Sequence, residues 1–292
     1  LGRLLRQSEA ELIRARDDDA LLCSRALRRH LLAGHPHARR VSGPIASLHG
    51  IQREDVVGYH GRHFCRAGAV VAVAGDVSEA EAAAIATAVT AELPEGTPSG
   101  YPVDEPTPPR GRHLVIVDKP ERSQSQLCLG SLGTHPRDDD HIALLVANTA
   151  FGGTFSSRLV QEIRAKRGWS YGASSNLSTS RVRETFTMWT APAAEDTAAC
   201  LAVELELLGR FRQDGISAEE LSFCKDHLRH SYAFEVDTAR KRLNQKLERV
   251  LLALPDDFHD RFVDQVMAVT LDQANAAVRR RLSASDLWIS VV

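Results

Sequence analysis

Two segments of the chain, 218 residues apart, follow one pattern from end to end. Residues 51–74 are IQREDVVGYHGRHFCRAGAVVAVA and residues 269–292 are VTLDQANAAVRRRLSASDLWISVV. Each runs from an apolar residue through an acidic helix start and a basic helix end to a short polar turn and a valine-rich strand, and the two align without a gap. Self-similarity at a fixed offset indicates a duplicated unit. The chain is therefore predicted to contain two related units.

A proline-rich stretch at 94–112 separates the predicted units. It holds six of the twelve prolines and shows no periodicity, which is typical of a semi-rigid linker. The predicted domains are accordingly 1–93 and 113–292. Since the second unit opens near His113, a first unit of the same length would open roughly a hundred residues before Leu1. We therefore expect the first unit to be incomplete and unable to close its own sheet.

Local periodicity predicts an α+β fold, in which each unit has a mostly antiparallel sheet covered by helices. In the first unit, residues 2–33 are expected to form one long helix or two, residues 53–63 a helix, and AVVAVAG at 69–75 a buried strand. In the second unit, strands are predicted within 113–119, 125–133, 171–180, 184–192 and 286–292, and helices within 138–152, 156–168 and 195–282.

Composition excludes several kinds of partner. With 36 basic and 38 acidic side chains the net charge is −2, so no overall field would attract nucleic acid or an anionic membrane. No run reaches the ~18 apolar residues of a membrane helix. We expect neither kind of partner, and the compartment stays open between cytoplasm and periplasm if the protein is bacterial. The five cysteines show no C-x-x-C spacing and are interpreted as buried thiols: Cys23, Cys65, Cys128, Cys200 and Cys224.

Two stretches carry a resemblance to a known family. Residues 152–175, GGTFSSRLVQEIRAKRGWSYGASS, resemble the second-domain signature of the pitrilysin/insulinase family of zinc metallopeptidases, the H-x-x-E-H inverzincins that include the mitochondrial processing peptidases. Residues 34–78, from Gly-His-Pro to the strand that ends in Ala-Gly-Asp, are similar to the end of that family's first domain. The resemblance extends from about Glu11 to Val292. It implies two related domains, of which the first is represented here by its end.

The resemblance also implies peptide-bond hydrolysis by a zinc-bound water, with two histidines and a distant glutamate as ligands. This sequence lacks the H-x-x-E-H motif, since His60 and His63 enclose no glutamate and His35 and His37 are only two apart. Glu11 matches the position of the family's third zinc ligand. The alternative is an exposed carboxylate on an amphipathic helix, because a ligand without partners binds no metal. We expect zinc in the intact or paired enzyme, and none bound by this chain alone.

Arg164 and Tyr171 match the arginine and tyrosine with which members of this family hold the substrate peptide beside the scissile bond. A guanidinium is a forked donor for a carbonyl or carboxylate, and a phenol donates a further hydrogen bond, so the pair could orient a peptide and stabilise an oxyanion. The alternative is a helix-end cation beside a packed aromatic. Trp169 is a further candidate for lining the same pocket, whereas Trp189 is interpreted as ordinary core.

Three functions remain open on the sequence. The chain is the greater part of a zinc endopeptidase whose metal-bearing domain lies outside it, a metal-free subunit that lends Arg164 and Tyr171 to a separate H-x-x-E-H subunit, or a catalytically dead assembly protein of the same fold. The first two predict a peptide substrate, and the second predicts a homo- or heterodimer. The preferred interpretation is a member of the peptidase family in which this stretch is itself inactive.

Overall fold

The computed structural model describes residues 1–97, 100 and 103–292; the predicted linker at 94–112 lies partly outside these residues. Five strands form a single mixed sheet. They are β1 (Arg112–Ile116), β2 (Leu127–Leu132), β3 (Ala173–Leu177), β4 (Thr185–Thr190) and β5 (Leu287–Val291). Each falls inside a segment that the sequence predicted to be a strand, apart from the first residue of β1.

The last strand lies inside the sheet, between the first two. The order is β1-β5-β2-β4-β3, with β5 parallel to β1 and every other pair antiparallel. This confirms the predicted α+β class, with a mostly antiparallel sheet. Because β5 bonds to β1 on one side and to β2 on the other, the end of the chain is held at the centre of the fold.

Helices cover one face of the sheet and form the main core with it. This core contains Leu129, Met188, Phe151 and Phe211, whose side chains are at most 1% exposed, and the two phenylalanine rings stack with centroids 4.4 Å apart. The helices of this part of the chain are α6 (His141–Asn148), α7 (Thr197–Asp214), α8 (Ala218–Glu235), α9 (Ala239–Leu251), α10 (Phe262–Ala268) and α11 (Leu271–Arg281). No helix among the described residues is both long and apolar enough to span a membrane.

One carboxyl group lies within this core. Glu204 on α7 has no exposed surface. Burial raises its pKa to about 8, because the charged carboxylate would lose its hydration there. Burial likewise raises the pKa of the neighbouring Cys200 thiol to about 12. All five cysteines are buried and free, as the sequence predicted.

Residues 2–33 form two helices, α1 (Gly2–Arg14) and α2 (Asp19–Leu31). The break comes where the Asp18 carboxylate accepts a hydrogen bond from the Leu21 N–H at 2.9 Å and so caps the second helix. The sequence had left one helix or two open, and this cap decides between them.

The second helix packs on the other face of the sheet. Cys23 donates its thiol to the carbonyl of Ser290 at 3.2 Å, and Leu27 lies so close to Gly130 that a Cβ at position 130 would sit 3.0 Å from a leucine methyl group. At its far end Arg28 forms a two-pronged ion pair with the buried Glu184, at 2.8 and 2.7 Å. Thus α2, which precedes the predicted linker in sequence, covers the second face of the sheet formed after that linker.

The duplicated segments contain matching helices. A short helix α3 (Ile45–Leu48) precedes α4 (Arg53–His63), whose two ends lie 218 residues before those of α11. The caps also match, because the Gln52 N–H donates to the Asp55 carboxylate and the Thr270 N–H to the Gln273 amide oxygen, each at 2.8 Å. The helices of the two duplicated segments therefore begin and end at equivalent positions.

The strand predicted at 69–75 is not formed, and this prediction is wrong for the described chain. Residues 69–73 correspond to β5, yet they form no regular secondary structure, and Val70 is half-exposed. A strand exists only through hydrogen bonds to neighbours, and no neighbouring strand lies among the residues that the structure describes. The next helix, α5 (Glu79–Thr90), begins with a capping box between Ser78 and Glu81.

Candidate functional site

Two π-helical segments flank the candidate site. The first, π1 (Thr149–Gly153), continues α6, and the second, π2 (Val160–Lys166), carries Arg164. The sequence predicted helix within 138–152 and 156–168 without specifying its type, and part of each segment has π-helical hydrogen bonding. Wider π turns are rare and are found frequently at functional sites, since each adds a residue that the helix would otherwise not accommodate.

A glycine turn brings Tyr171 back to Arg164. Gly168 has φ +67°, in the left-handed region, and its N–H donates to the carbonyl of Arg164 at 3.1 Å. The Trp169 N–H donates to the carbonyl of Ile163, also at 3.1 Å. These two hydrogen bonds end π2 and reverse the chain direction. The reversal places Tyr171 beside Arg164, seven residues earlier.

The two predicted site residues are in contact. The guanidinium carbon of Arg164 lies 4.6 Å from the centre of the Tyr171 ring and 6.0 Å from that of Phe155, both distances in the range of cation–π attraction. The rings face solvent, with Tyr171 85% and Phe155 83% exposed. Arg164 therefore lies beside two exposed aromatic side chains.

The other cationic side chains near Arg164 in sequence each pair with a glutamate. Arg158 donates to both oxygens of Glu220, at 2.7 and 2.6 Å. Lys166 and Arg167 both pair with Glu162, whose pKa they hold below its ordinary range. The Lys166–Glu162 pair joins residues four apart, which are neighbours on a helical surface. Arg164, in contrast, has no hydrogen-bond acceptor or carboxylate partner within the described chain, so its N–H donors remain available.

Arg164 and Tyr171 line one cavity of about 310 Å³. Its other walls are mainly apolar or small, formed by Gly152, Gly153, Thr154, Phe155, Val160, Gly172, Ala173, Ser174 and Trp189. Two of these glycines permit close contacts, because a Cβ at Gly152 would overlap the Ser175 backbone and one at Gly172 would lie 2.8 Å from the Trp189 ring. The result is an apolar cavity with a phenol at its rim, beside a guanidinium that has no acceptor among residues 1–97, 100 and 103–292.

The tryptophan of this cavity is not the predicted one. Trp169 is outside the lining residues; it packs against the main core, with the Arg167 guanidinium 5.3 Å from its ring. Trp189 on β4 lines the cavity instead, and its indole N–H donates to the Gln126 side chain at 2.9 Å. The available sequence signal was strand alternation, which places Trp189 on the face opposite Met188, and hence opposite the main core.

Glu11 is exposed on α1 and accepts a hydrogen bond from the Gln7 amide at 3.1 Å. The histidines are engaged elsewhere: His37 contacts Glu184 at 2.9 Å, and His60 stacks on Phe64. Across residues 1–97, 100 and 103–292, no three His, Cys, Asp or Glu side chains are grouped so as to hold a metal ion. The described residues therefore do not supply the donor set of a zinc centre.

Comparison with known proteins gives a consistent result. Residues 50–228 match the family described as the peptidase M16 inactive domain. An uncharacterized zinc protease of Mycobacterium leprae is 29% identical over 255 residues, which are 87% of this chain and 57% of that protein. A non-peptidase homolog of Helicobacter pylori is 22% identical over 293 residues, covering 100% of this chain and 67% of that protein.

A solved structure agrees over nearly the whole chain. The crystal structure of a peptidase M16 inactive domain from Pseudomonas fluorescens matches with a TM-score of 0.91 and 26% identity, over 99% of this chain and 69% of that one. The present chain thus spans little more than half the length of the mycobacterial relative and about two thirds of the solved structure. The resemblance to the pitrilysin/insulinase peptidases is confirmed, and the chain belongs to the peptidase M16 family, whose inactive domain it contains.

Proposed function

We propose that this chain supplies the peptide-holding part of an M16-type zinc peptidase. The metal-bearing part is contributed either by the same protein outside these residues or by a partner subunit. In this role Arg164 and Tyr171 bind the backbone of a peptide substrate, and the bond is broken at a zinc centre that these residues do not form. By itself the described stretch is inactive.

The observation that carries the proposal is the guanidinium of Arg164, which lies at the rim of an apolar cavity and has no acceptor or carboxylate partner in the described part of the chain. A surface arginine among carboxylates usually finds one, as Arg158 and Arg167 do. Arg164 instead rests on aromatic rings, which orient the guanidinium without consuming its hydrogen-bond donors. Such a group is prepared to donate to a peptide carbonyl or a developing oxyanion.

Peptide binding by the chain itself provides the test. The protein is titrated into a fluorescent unstructured peptide, and binding is followed by fluorescence anisotropy. The affinity of Arg164→Ala should be weaker than that of wild type. The affinity of the control Lys166→Ala should change little, because Lys166 is already paired with Glu162. Equal affinities of wild type and Arg164→Ala would contradict the proposed role.

A second candidate is a non-catalytic member of the family that acts only through binding or assembly. It is favoured by the lack of a metal-binding cluster in the described residues and by the name of the Helicobacter pylori relative as a non-peptidase homolog. The two candidates separate when the full-length protein, or the protein with its partner, is assayed with zinc. Turnover that depends on Arg164 supports the first, and peptide binding without turnover supports the second.

A further inference from the structure

A second cavity, of about 450 Å³, lies where the segment before β1, the loop between β3 and β4 and the end of α11 meet. Three arginines line it: Arg183 from the loop, and Arg280 and Arg281 from the last turn of α11. Its lining does not include Arg164 or any other residue of the peptide site, so a ligand bound in this cavity would be independent of the proposed function.

The arginines differ in how far their donors are used. Arg281 is committed, because it donates to both oxygens of Asp140, at 3.0 and 2.7 Å, and contacts Asp138 at 3.1 Å. Arg280 gives a single hydrogen bond to Asp140, at 3.0 Å, and its side chain is 63% exposed. Arg183 has no acceptor for its guanidinium among the described residues, although its Nε–H is buried.

The carboxylate that lines the same cavity already accepts three hydrogen bonds. Asp286 accepts from the Gly111 N–H on one oxygen, at 2.8 Å, and from the hydroxyls of Ser283 and Ser285 on the other, each at 2.8 Å. These bonds, the one from the Gly111 N–H first, hold its pKa below the ordinary value, so it is ionised but has few lone pairs left for Arg183. The cavity therefore offers two guanidinium groups with spare donors, and its own carboxylate is engaged.

We propose that this cavity binds an oxyanion through Arg183 and Arg280. A buried N–H without an acceptor is rare in native proteins and commonly marks the place of an ion or water. The fork of a guanidinium fits two oxygens of a carboxylate or a phosphate, whereas a spherical chloride satisfies it less well. The volume exceeds that of a bare ion, which suits an oxyanion carried on a small molecule. Binding would tie the β3–β4 loop to the end of α11.

A ligand that binds the folded state raises the melting temperature in a saturable way. We therefore expect sodium phosphate or sodium acetate to raise the Tm of the full chain at ionic strength held constant with sodium chloride, with the two salts distinguishing a phosphate site from a carboxylate site. Isothermal titration should show ~10-fold weaker binding or more in Arg183→Met and in Arg280→Met, because each loses a charge-assisted contact.

Arg181→Met is the matched control, since Arg181 is exposed in the same loop and does not line the cavity. It should behave as wild type. The proposal is overturned if neither anion gives a saturable rise, if chloride alone gives the same rise, or if Arg183→Met and Arg280→Met, shown to be folded by circular dichroism, respond like wild type.

Discussion

Arg164 and Tyr171 form a cation–π pair, with the guanidinium carbon 4.6 Å from the ring centre. They are separated by a π-helical turn and a left-handed glycine, so their contact depends on the backbone between them rather than on sequence proximity. The two side chains should therefore act as one unit, and their substitutions should not be independent.

Replacing Arg164 by alanine should lower kcat/KM of the intact or paired peptidase by about 1–3 kcal/mol of transition-state stabilisation, the range for losing a charge-assisted or oxyanion contact. Steady-state kinetics with a fluorogenic peptide provides the measurement. Arg164→Lys keeps the charge but loses the fork, and it should recover only part of the loss. Wild-type kinetics in Arg164→Ala would return this residue to a structural role.

Tyr171 should contribute through its hydroxyl and through its ring. Tyr171→Phe keeps the ring against Arg164 and should lower kcat/KM by about 1–3 kcal/mol if the phenol donates to the substrate. Tyr171→Ala should cost more, since it also releases the guanidinium. In a double-mutant cycle with Arg164→Ala, the coupling energy should be about 0.5–1 kcal/mol. Strict additivity would show that the pair does not act together.

Two adjacent glycines provide a matched test of the cavity wall. Gly152→Ala should lower the free energy of unfolding by about 1–3 kcal/mol, because its Cβ would overlap the Ser175 backbone and force π1 away from β3. Gly153→Ala should cost much less, since the nearest atom to its Cβ would be 3.4 Å away. Urea denaturation of both variants measures the difference. Equal losses would show that π1 moves freely.

The buried Glu204 predicts a specific pH dependence. Its pKa is about 8 when folded, against 4.5 for the unperturbed group, so between these values the folded state holds a proton that the unfolded state releases. The free energy of unfolding contributed by this group is therefore lost progressively as pH rises from about 4.5 to about 8. Glu204→Gln should abolish that contribution and stabilise the protein at pH 7 by about 1–3 kcal/mol.

Glu206→Gln is the control for Glu204, because Glu206 is exposed on the same helix and pairs with Arg210. Denaturant melts of wild type and both variants at several pH values provide the comparison. A pH profile of Glu204→Gln that runs parallel to that of wild type would mean that the carboxyl group is hydrated.

Purified chain should retain less than one zinc ion per molecule after dialysis and should not cleave peptides, since Glu11 lacks partner ligands among the described residues. Elemental analysis and a peptide cleavage assay provide the measurements. One zinc per chain together with turnover would refute the inactive assignment.

Much of the fold could be predicted because the elements are local. Apart from β3, whose segment ASSNL is mainly polar, each strand of the sheet was signalled by a short run rich in apolar or β-branched residues. The run at 69–75 carried the same signal and still failed to form a strand, because a strand is completed only by its neighbours. Sequence pattern identifies a segment suited to a sheet, but it does not supply the partners.

The candidate site was predicted in part. Arg164 and Tyr171 came from the family resemblance, and the structure places them together. Trp169 was preferred to Trp189 for the cavity, although strand alternation already places Trp189 on the face opposite Met188. A sequence does not show that Arg158 and Arg167 find carboxylates while Arg164 finds none among the described residues.

The position of α2 has a practical consequence for anyone dividing this molecule. A fragment that starts after the proline-rich segment would leave Cys128, Gly130 and Trp288 facing water on a bare sheet surface. Such a fragment should expose an apolar surface and self-associate, although the proline-rich segment resembles a domain boundary. A fragment designed to fold on its own should start no later than Asp18, so that it includes α2 and the N-cap of that helix.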